Sequence, residues 1–455
     1  MDVTDPTALD AEELLAAYAA KKLNPLEALQ AVTERIARRN PDINAFAVMN
    51  SQALQAARDS ARRWSWGEAH GRLDGVPVTV KDLVDVAGLP TRRGSKATEA
   101  TLVAADAPLV KRLRAAGAVI IGKTTTTEFG WKSPGDCPLN GITRNPWNLA
   151  HTPGGSSSGA AAAASSFFGP LHVGTDAGGS IRIPAAWSGV VGLKPTFGRV
   201  PQWPLGAFGH VAVAGPMTRS VRDAALMVSV MAGHDAADPF SLPEPPRDFL
   251  AGIEDGVRGL RIGILRHPGF AAPVDADGLA ALEAARVSLE AQGAKIAELQ
   301  VALPDMSAVF SQIWGVALAR AMDTVAPEKR ALIDAGLRQV AELFRATPGV
   351  EVMRAEAMRV EAAHAMAALD IDAMICPAVP HCAPLAEAPL DDPIAALWQH
   401  WAPWTMLFNL TRQPALSLPM GVNAAGLPTA VQVAAPLYRD DVVLRVARAL
   451  ERGLG

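Results

Sequence analysis

The sequence predicts one large α/β domain, and three observations carry that expectation. β-Branched apolar runs alternate with helical stretches through the first half of the chain, a long helical section follows, and strand-like runs return before the C-terminus. At 455 residues the length alone suggests about three domains. The late strands, however, are placed to rejoin the first sheet, which argues for a single body.

Each element follows from local chemistry. Apolar residues recur at helical spacing from Ala8 to Arg39 (Leu14, Leu15, Tyr18, then Leu29, Val32, Ile36), and Pro25 is suited to open a second helix. Val76 to Val80 reads as a strand, Asp106 to Ala116 as a helix and Ala118 to Ile121 as another strand. Gly159 to Phe168 reads as an alanine-rich helix, Leu171 to Gly174 as a strand and Ser220 to Met231 as a helix. Pro239 to Pro246 resembles a linker, after which Leu260 to Leu265 restarts the strand signal. Leu279 to Gln292, Ser307 to Thr347 with a break, and Val350 to Leu369 are helical, a section expected to cap the core. Strands return at Ala373 to Cys376, Leu416 to Leu418 and Thr429 to Val433, and Asp440 to Arg452 closes the chain as a helix. The expected parts of the one domain are an N-terminal helical segment (1–70), a core (71–235), a helical insertion (236–372) and a return to the sheet (373–455).

Composition excludes several function classes. A formal charge of −4 with 19% charged residues gives no basic surface for nucleic acid and no acidic tail, so small, overall uncharged partners are expected. Three cysteines (Cys137, Cys376, Cys382) form neither a disulfide framework nor a metal-type spacing, which points to idle thiols in a reducing cytoplasm. Met1 to Leu15 is acidic and lacks the basic flank of a signal peptide. The stretch from Asn145 to Thr175 carries no formal charge, but serine, glycine and proline interrupt it, so it is no membrane span.

That uncharged stretch holds or borders the chemistry. Gly154 to Gly159 contains Ser156, Ser157 and Ser158, and Gly174 to Arg182 contains Ser180, so serines crowd among glycines whose N–H groups can converge on one point. A serine is a weak nucleophile unless a base takes its proton. Gly155-Ser156-Ser157-Ser158-Gly159 fits a G-x-S-x-G elbow with Ser157 as nucleophile, but Pro153-Gly154 makes a poor strand end ahead of it, and that reading also needs a late histidine such as His364, His381 or His400. None of the nine histidines sits in a metal-ligand cluster. Gly117 to Thr124 spells the Walker A pattern, yet Ala118 to Ile121 is apolar and mainly β-branched and should be strand, not phosphate loop. Lys81 follows a strand apolar enough to be buried, and burial lowers a lysine pKa toward a useful base. Equally, Lys81 could pair with Asp82 or Asp85, and Lys123 and Lys194 lie in similar surroundings, so burial alone does not select it.

Gly75 to Asp82, Gly154 to Gly159, and Gly174 to Arg182 running on to Gly189-Val190-Val191-Gly192-Leu193-Lys194-Pro195-Thr196 together resemble the amidase signature family. The likeness is close from about Ile43 to Met217, through Asn44-Ala45-Phe46, Gly122-Lys123-Thr124, Glu128-Phe129 and Gly215-Pro216-Met217. It is looser at Pro414 to Pro419 and Val431-Gln432-Val433, and between Pro239 and Ala373 it is one of length and helical character. The resemblance implies a central mixed twisted sheet flanked by helices. It implies that Lys81 is the base, Ser156 a bridging serine preceded by a cis peptide bond, and Ser180 the nucleophile. The backbone N–H groups of Ala177, Gly178, Gly179 and Ser180 would form the oxyanion hole, and no cofactor is implied.

Around these, Asp176 and Arg182 are expected to brace the loop, with Arg182 binding a substrate carboxylate as the alternative; Thr175 and Ser157 are supporting positions. Core packing is expected for most of Trp131, Trp203, Trp314, Trp398, Trp401, Trp404 and Phe408, with two or three left for a pocket. The expected partner is a small-molecule amide substrate, with no nucleic acid and no membrane, and a homodimer as the assembly to consider. The same family includes the glutaminase component of glutamyl-tRNA(Gln) amidotransferase, its A chain. From that pattern the present sequence departs at Ile183, where a glutamine commonly stands, at Ala186-Trp187-Ser188, where a segment usually ends in cysteine, and at Pro201 to Ala212. An inactive scaffold relative is the remaining alternative, and retention of Lys81, Ser156 and Ser180 argues against it.

Overall fold

The computed structural model describes residues 5–271, 273–387 and 402–454. In chain order the strands are β1 Phe46–Met49, β2 Pro77–Lys81, β3 Val119–Thr124, β4 Asp136–Cys137, β5 Gly141–Ile142, β6 Leu171–Asp176, β7 Val191–Lys194, β8 Val213–Thr218, β9 Arg261–Ile264, β10 Lys295–Glu298, β11 Ala373–Pro377, β12 Ala415–Val422 and β13 Pro428–Ala434. Among the described residues eleven of these form one sheet, ordered β1-β3-β2-β6-β8-β7-β12-β13-β11-β9-β10, while β4 and β5 pair by themselves. The sheet is mixed: β2 runs parallel to both β3 and β6, whereas β8 is antiparallel to β6 and β7. The two halves of the chain meet where β12 pairs antiparallel with β7. The late strands therefore rejoin the first sheet, as the sequence predicts.

Helices cover the sheet. At the N-terminus α1 (Ala11–Ala19) and α2 (Pro25–Ile43) each open on a capping box, Asp10 with Glu13 and Asn24 with Glu27, and Pro25 occupies the first turn of α2. The helices α3 (Ala53–Trp66), α4 (Pro108–Ala115), α5 (Ser158–Ser165), α6 (Arg182–Ser188) and α7 (Val221–Met231) follow. The alanines of α5 are buried against Ile181, Ala185, Val190 and Met217, and their small size lets the helix lie close to the sheet. Gly159 shows how close: a Cβ there would lie 2.2 Å from Ala45 O. This packing pins the serines at the start of α5.

Three sequence expectations change. The insertion is not purely helical: β9 falls in the expected Leu260 to Leu265 strand, and with α8 (Ala276–Ala291) and the unexpected β10 it extends the main sheet through parallel pairing of β9 with β10 and β11. Among the described residues the cap is formed by α9 (Met306–Asp323), α10 (Ala335–Arg345) and α11 (Gly349–Ala367), with Phe310, Trp314 and Leu337 sharing one buried cluster with Ala177 of the core. Pro239 to Pro246 is no free linker, since Leu242 N–H donates to Gly198 O and Glu244 pairs with Arg199. Gly215 and Pro216 hid β8 from a strand reading, although β8 lies between β6 and β7. The Walker A reading falls as anticipated, because Val119 to Thr124 is buried strand.

Candidate active site

Lys81 ends β2, a strand flanked on both edges and buried at every position, so its side chain has no path to water. Its Nζ lies 2.7 Å from Ser156 Oγ, 2.8 Å from Ser157 Oγ and 3.3 Å from Thr175 O. Burial holds the amine well below the ordinary lysine range, with the Asp176 carboxylate opposing the shift. Pairing of Lys81 with a neighbouring aspartate does not occur: Asp82 Oδ1 is 2.9 Å from Lys123 Nζ, which also donates to Pro90 O and Thr91 Oγ1. Lys194 donates to Pro195 O and is brought down to about 7 by burial and by Arg182. Of Lys81, Lys123 and Lys194, only Lys81 touches these serines among the described residues.

The peptide bond between Gly155 and Ser156 is cis. Ser157 precedes α5 but makes no capping bond, because its hydroxyl donates to Thr175 O and accepts from Thr175 N–H and Lys81. No described histidine reaches it. His381 stacks on Trp187, His364 is exposed on α11, and His400 lies outside the described residues. The elbow reading with Ser157 as nucleophile finds no histidine among the described residues, and the Ser157 hydroxyl is held between a lysine and the backbone. His172 is a satisfied core histidine between Thr79 and Gly169 O.

The Ser180 loop is built on Asp176, the last residue of β6. Its Oδ1 accepts from Gly179 N–H at 2.7 Å, and its Oδ2 accepts from Ile181 N–H at 3.1 Å. Burial alone would raise the Asp176 carboxyl, but Arg182, with Lys194 and Asn409, outweighs it and holds the group at about 2. Arg182 is completely spent. Its Nε and Nη2 donate to the two Asp176 oxygens, Nη1 to Thr405 O and Gln432 Oε1, and Nη2 also to Asn409 Oδ1. A guanidinium has five N–H donors and all are taken, so the alternative in which Arg182 binds a substrate carboxylate is excluded.

Of the four amides expected in an oxyanion hole, that of Gly179 is already committed to Asp176, and Thr405 Oγ1 holds Gly178 O at 2.6 Å on the other side of the same peptide plane. The N–H groups of Ala177, Gly178 and Ser180 have no partner among the described residues. Phe310 of α9 covers this turn so closely that a Cβ on Gly178 would lie 2.4 Å from its ring. Ser180 O accepts from Ser157 N–H at 3.1 Å, tying the two serine loops together. No hydrogen bond links Ser156 Oγ to Ser180 Oγ among the described residues, but both line one cavity of about 710 Å³ with Thr175, Ala177, Phe129 and Phe208.

Of the aromatic residues named from the sequence, Trp404 and Phe408 are core, Trp203 lines this cavity, and Trp131 and Trp314 border a small recess on another side of Ser180. Trp398 and Trp401 lie outside the described residues. Thr405 and Asn409 were missed as supports, and only their place after the aromatic cluster hinted at them. Gln432 stood in the Val431-Gln432-Val433 match without an assigned role. Among the described residues no helix is long and apolar enough to cross a membrane.

The fold and these motifs define an amidase signature enzyme. The chain belongs to the amidase family, whose model matches residues 27–444. It is 38% identical to an acylamidase of Rhodococcus erythropolis, over 97% of this chain and 95% of that protein. It is 36% identical to the A chain of the glutamyl-tRNA(Gln) amidotransferase of Salinispora tropica, over 100% of this chain and 99% of that protein. Among solved structures, a bacterial aryl acylamidase of the amidase signature family superposes with a TM-score of 0.90 at 28% identity, covering 98% of this chain and 96% of that one.

Proposed function

We propose that the chain hydrolyses small aryl or alkyl amides, with amide-like esters and carbamates as related substrates, through an acyl-enzyme on Ser180. The observation that carries this reading is the buried Lys81, which among the described residues forms no ion pair with a carboxylate and contacts Ser156 and Ser157. A neutral amine offers two N–H donors and one lone pair. Thr175 O can only accept, and Ser157 Oγ already gives its own proton to that carbonyl, so both call for an N–H from Lys81. The lone pair is left for Ser156, which is the polarity a base needs.

In the proposed first half-reaction Ser180 gives its proton to Ser156 Oγ as Ser156 gives its own to Lys81 Nζ, and Ser180 Oγ bonds the amide carbon. The N–H groups of Ala177, Gly178 and Ser180 hold the oxyanion, each such donor supporting the rate by about 10²- to 10³-fold. The proton then returns through Ser156 to the leaving nitrogen as the C–N bond breaks. Water, losing a proton along the same relay, adds to the acyl carbon, and Ser180 departs with that proton to leave the carboxylic acid. No step calls for a cofactor.

The acylamidase and aryl acylamidase relatives support simple aryl amides as the substrate class. Comparable identity to an amidotransferase component favours a second reading, glutamine hydrolysis within a larger complex. The test is fluorophosphonate labelling with turnover of an aryl amide and of glutamine. Labelling and aryl amide turnover, both lost in Ser180→Ala, are the expected results. Labelling that persists in Ser180→Ala but disappears in Ser157→Ala would refute the assignment of the nucleophile, and turnover of glutamine alone would select the second reading.

A further inference from the structure

We infer that the cavity beside Ser180 takes an amide carrying a carboxylate remote from the scissile bond, and that Arg93 is the residue that binds it. The inference rests on the amidase reading for the identity of the cavity, and otherwise on the charges lining it. Five ionisable side chains do so: Arg93, Arg320, Lys329, Asp85 and Glu99. Glu99 and Lys329 pair with each other. Asp85 forms no ion pair among the described residues, and its charge and that of Arg93 both bear on Lys123 behind the wall, which Asp82 already pairs. Arg93 and Arg320 have neither a hydrogen bond nor an ion pair from their side chains among the described residues, and Arg93 is half-buried. The overall charge of −4 pointed to uncharged partners. The cavity has a different balance: three cations line it against two carboxylates, and two of those cations, Arg93 and Arg320, hold no carboxylate among the described residues.

The backbone at Arg93 also points to a role. Arg93 has φ of 55° and Phe129 has φ of 50°, both in the left-handed region that residues with a Cβ seldom occupy. The two are joined, because Phe129 N–H donates to Arg93 O, while Arg93 N–H donates to Asp82 O. A large cation and a large ring are thus held on adjoining turns of one cavity wall, at positions where glycine or asparagine would cost less. A guanidinium presents a planar fork that matches a carboxylate, and Phe129, Leu83 and Phe208 supply apolar surface for an aryl or alkyl body. Arg182, the arginine nearest the nucleophile in sequence, cannot serve because its donors are exhausted.

The test compares acetanilide with 4-acetamidobenzoate, which carries the carboxylate on the amine half, and with succinanilic acid, which carries it on the acyl half. In Arg93→Gln the kcat/KM ratio of at least one carboxylate substrate to acetanilide falls about 10- to 100-fold through KM, and Arg93→Lys lies between. Which ratio falls identifies the half that reaches Arg93. Calorimetric titration of Ser180→Ala with the same three compounds, with and without Arg93→Gln, reads the contact without turnover. Ratios and affinities that stay within twofold of the parent overturn the inference, even if acetanilide is hydrolysed well, and so does a Ser180→Ala protein that binds neither carboxylate. Carboxylate binding that depends on Arg93, in a protein that turns over none of the three, upholds the inference and removes amide hydrolysis instead.

Discussion

Replacing Lys81 by methionine separates catalysis from folding. The substitution keeps an unbranched chain of similar length but deletes contacts at 2.7 Å to Ser156 Oγ, 2.8 Å to Ser157 Oγ and 3.3 Å to Thr175 O. Ser157 stays satisfied, because it still bonds Thr175 O and Thr175 N–H. Ser156 loses the partner of its hydroxyl, and a buried hydroxyl left unpaired costs about 1–3 kcal/mol. Removal of a buried amine offsets part of that. Each kcal/mol of imbalance moves the melting temperature of a large domain by only about 2–4 °C. Loss of a general base lowers the rate by about 10²- to 10⁴-fold. Lys81→Met therefore melts within several degrees of the parent while kcat/KM on an aryl amide collapses.

The pH dependence sharpens the same test. The folded lysine loses its proton well below the ordinary 10.5, so activity rises as pH climbs through that depressed value and the neutral base accumulates. Between the depressed value and 10.5 the unfolded chain binds a proton that the folded one does not, so this lysine adds stability as pH rises through that window. Lys81→Met removes both trends. Differential scanning calorimetry and kcat/KM between about pH 5 and 10 read them side by side. A variant retaining activity within tenfold of the parent at neutral pH, or keeping the parent's acid limb, would refute the relay.

Two further outcomes follow from the buried charges. Arg182→Met strands the Asp176 carboxylate, which is fully buried, and lowers stability by about 3–5 kcal/mol; urea melts read this, and a midpoint equal to the parent's contradicts the bracing role. Glu128 is pushed up to about 7 by burial against an ordinary 4.5, with the Asp334 N–H donated to its Oε2 opposing. Because its folded value is the higher, its contribution to stability is full below 4.5 and declines as pH rises to about 7, so Glu128→Gln gains on the parent at about pH 8 relative to about pH 5. A difference in melting temperature that is the same at both pH values speaks against it.

The short-range features were legible in the residues. Pro25 at the start of α2, the β-branched run in β3 and the alanine-rich α5 all declare themselves within a few positions, because backbone preference and side-chain shape govern them. β8 was not legible, since a glycine and a proline within it suppress the local strand signal while two neighbouring strands hold it in place. The strand run of β9 was legible at Leu260 to Leu265, but β10 and the parallel pairing of β9 with β11 were hidden, because β11 lies far along the chain.

At the site the division is sharper. Motif and resemblance together point to Lys81, Ser156, Ser180, Asp176 and Arg182, because each sits in a short glycine-bearing segment whose residue types are themselves distinctive. Contacts between those segments decided the rest. Three buried lysines looked alike until β2 was seen to aim one of them at the serines, and Arg182 looked able to bind substrate until Thr405, Asn409 and Gln432 were found to fill its remaining donors. Gly179 looked like an oxyanion donor until the Asp176 carboxylate claimed its N–H. The availability of a donor or a base depends on every neighbour within about 3.5 Å. In this chain those neighbours stand up to 250 residues away, as Gln432 does from Arg182, and only the folded sheet brings them together.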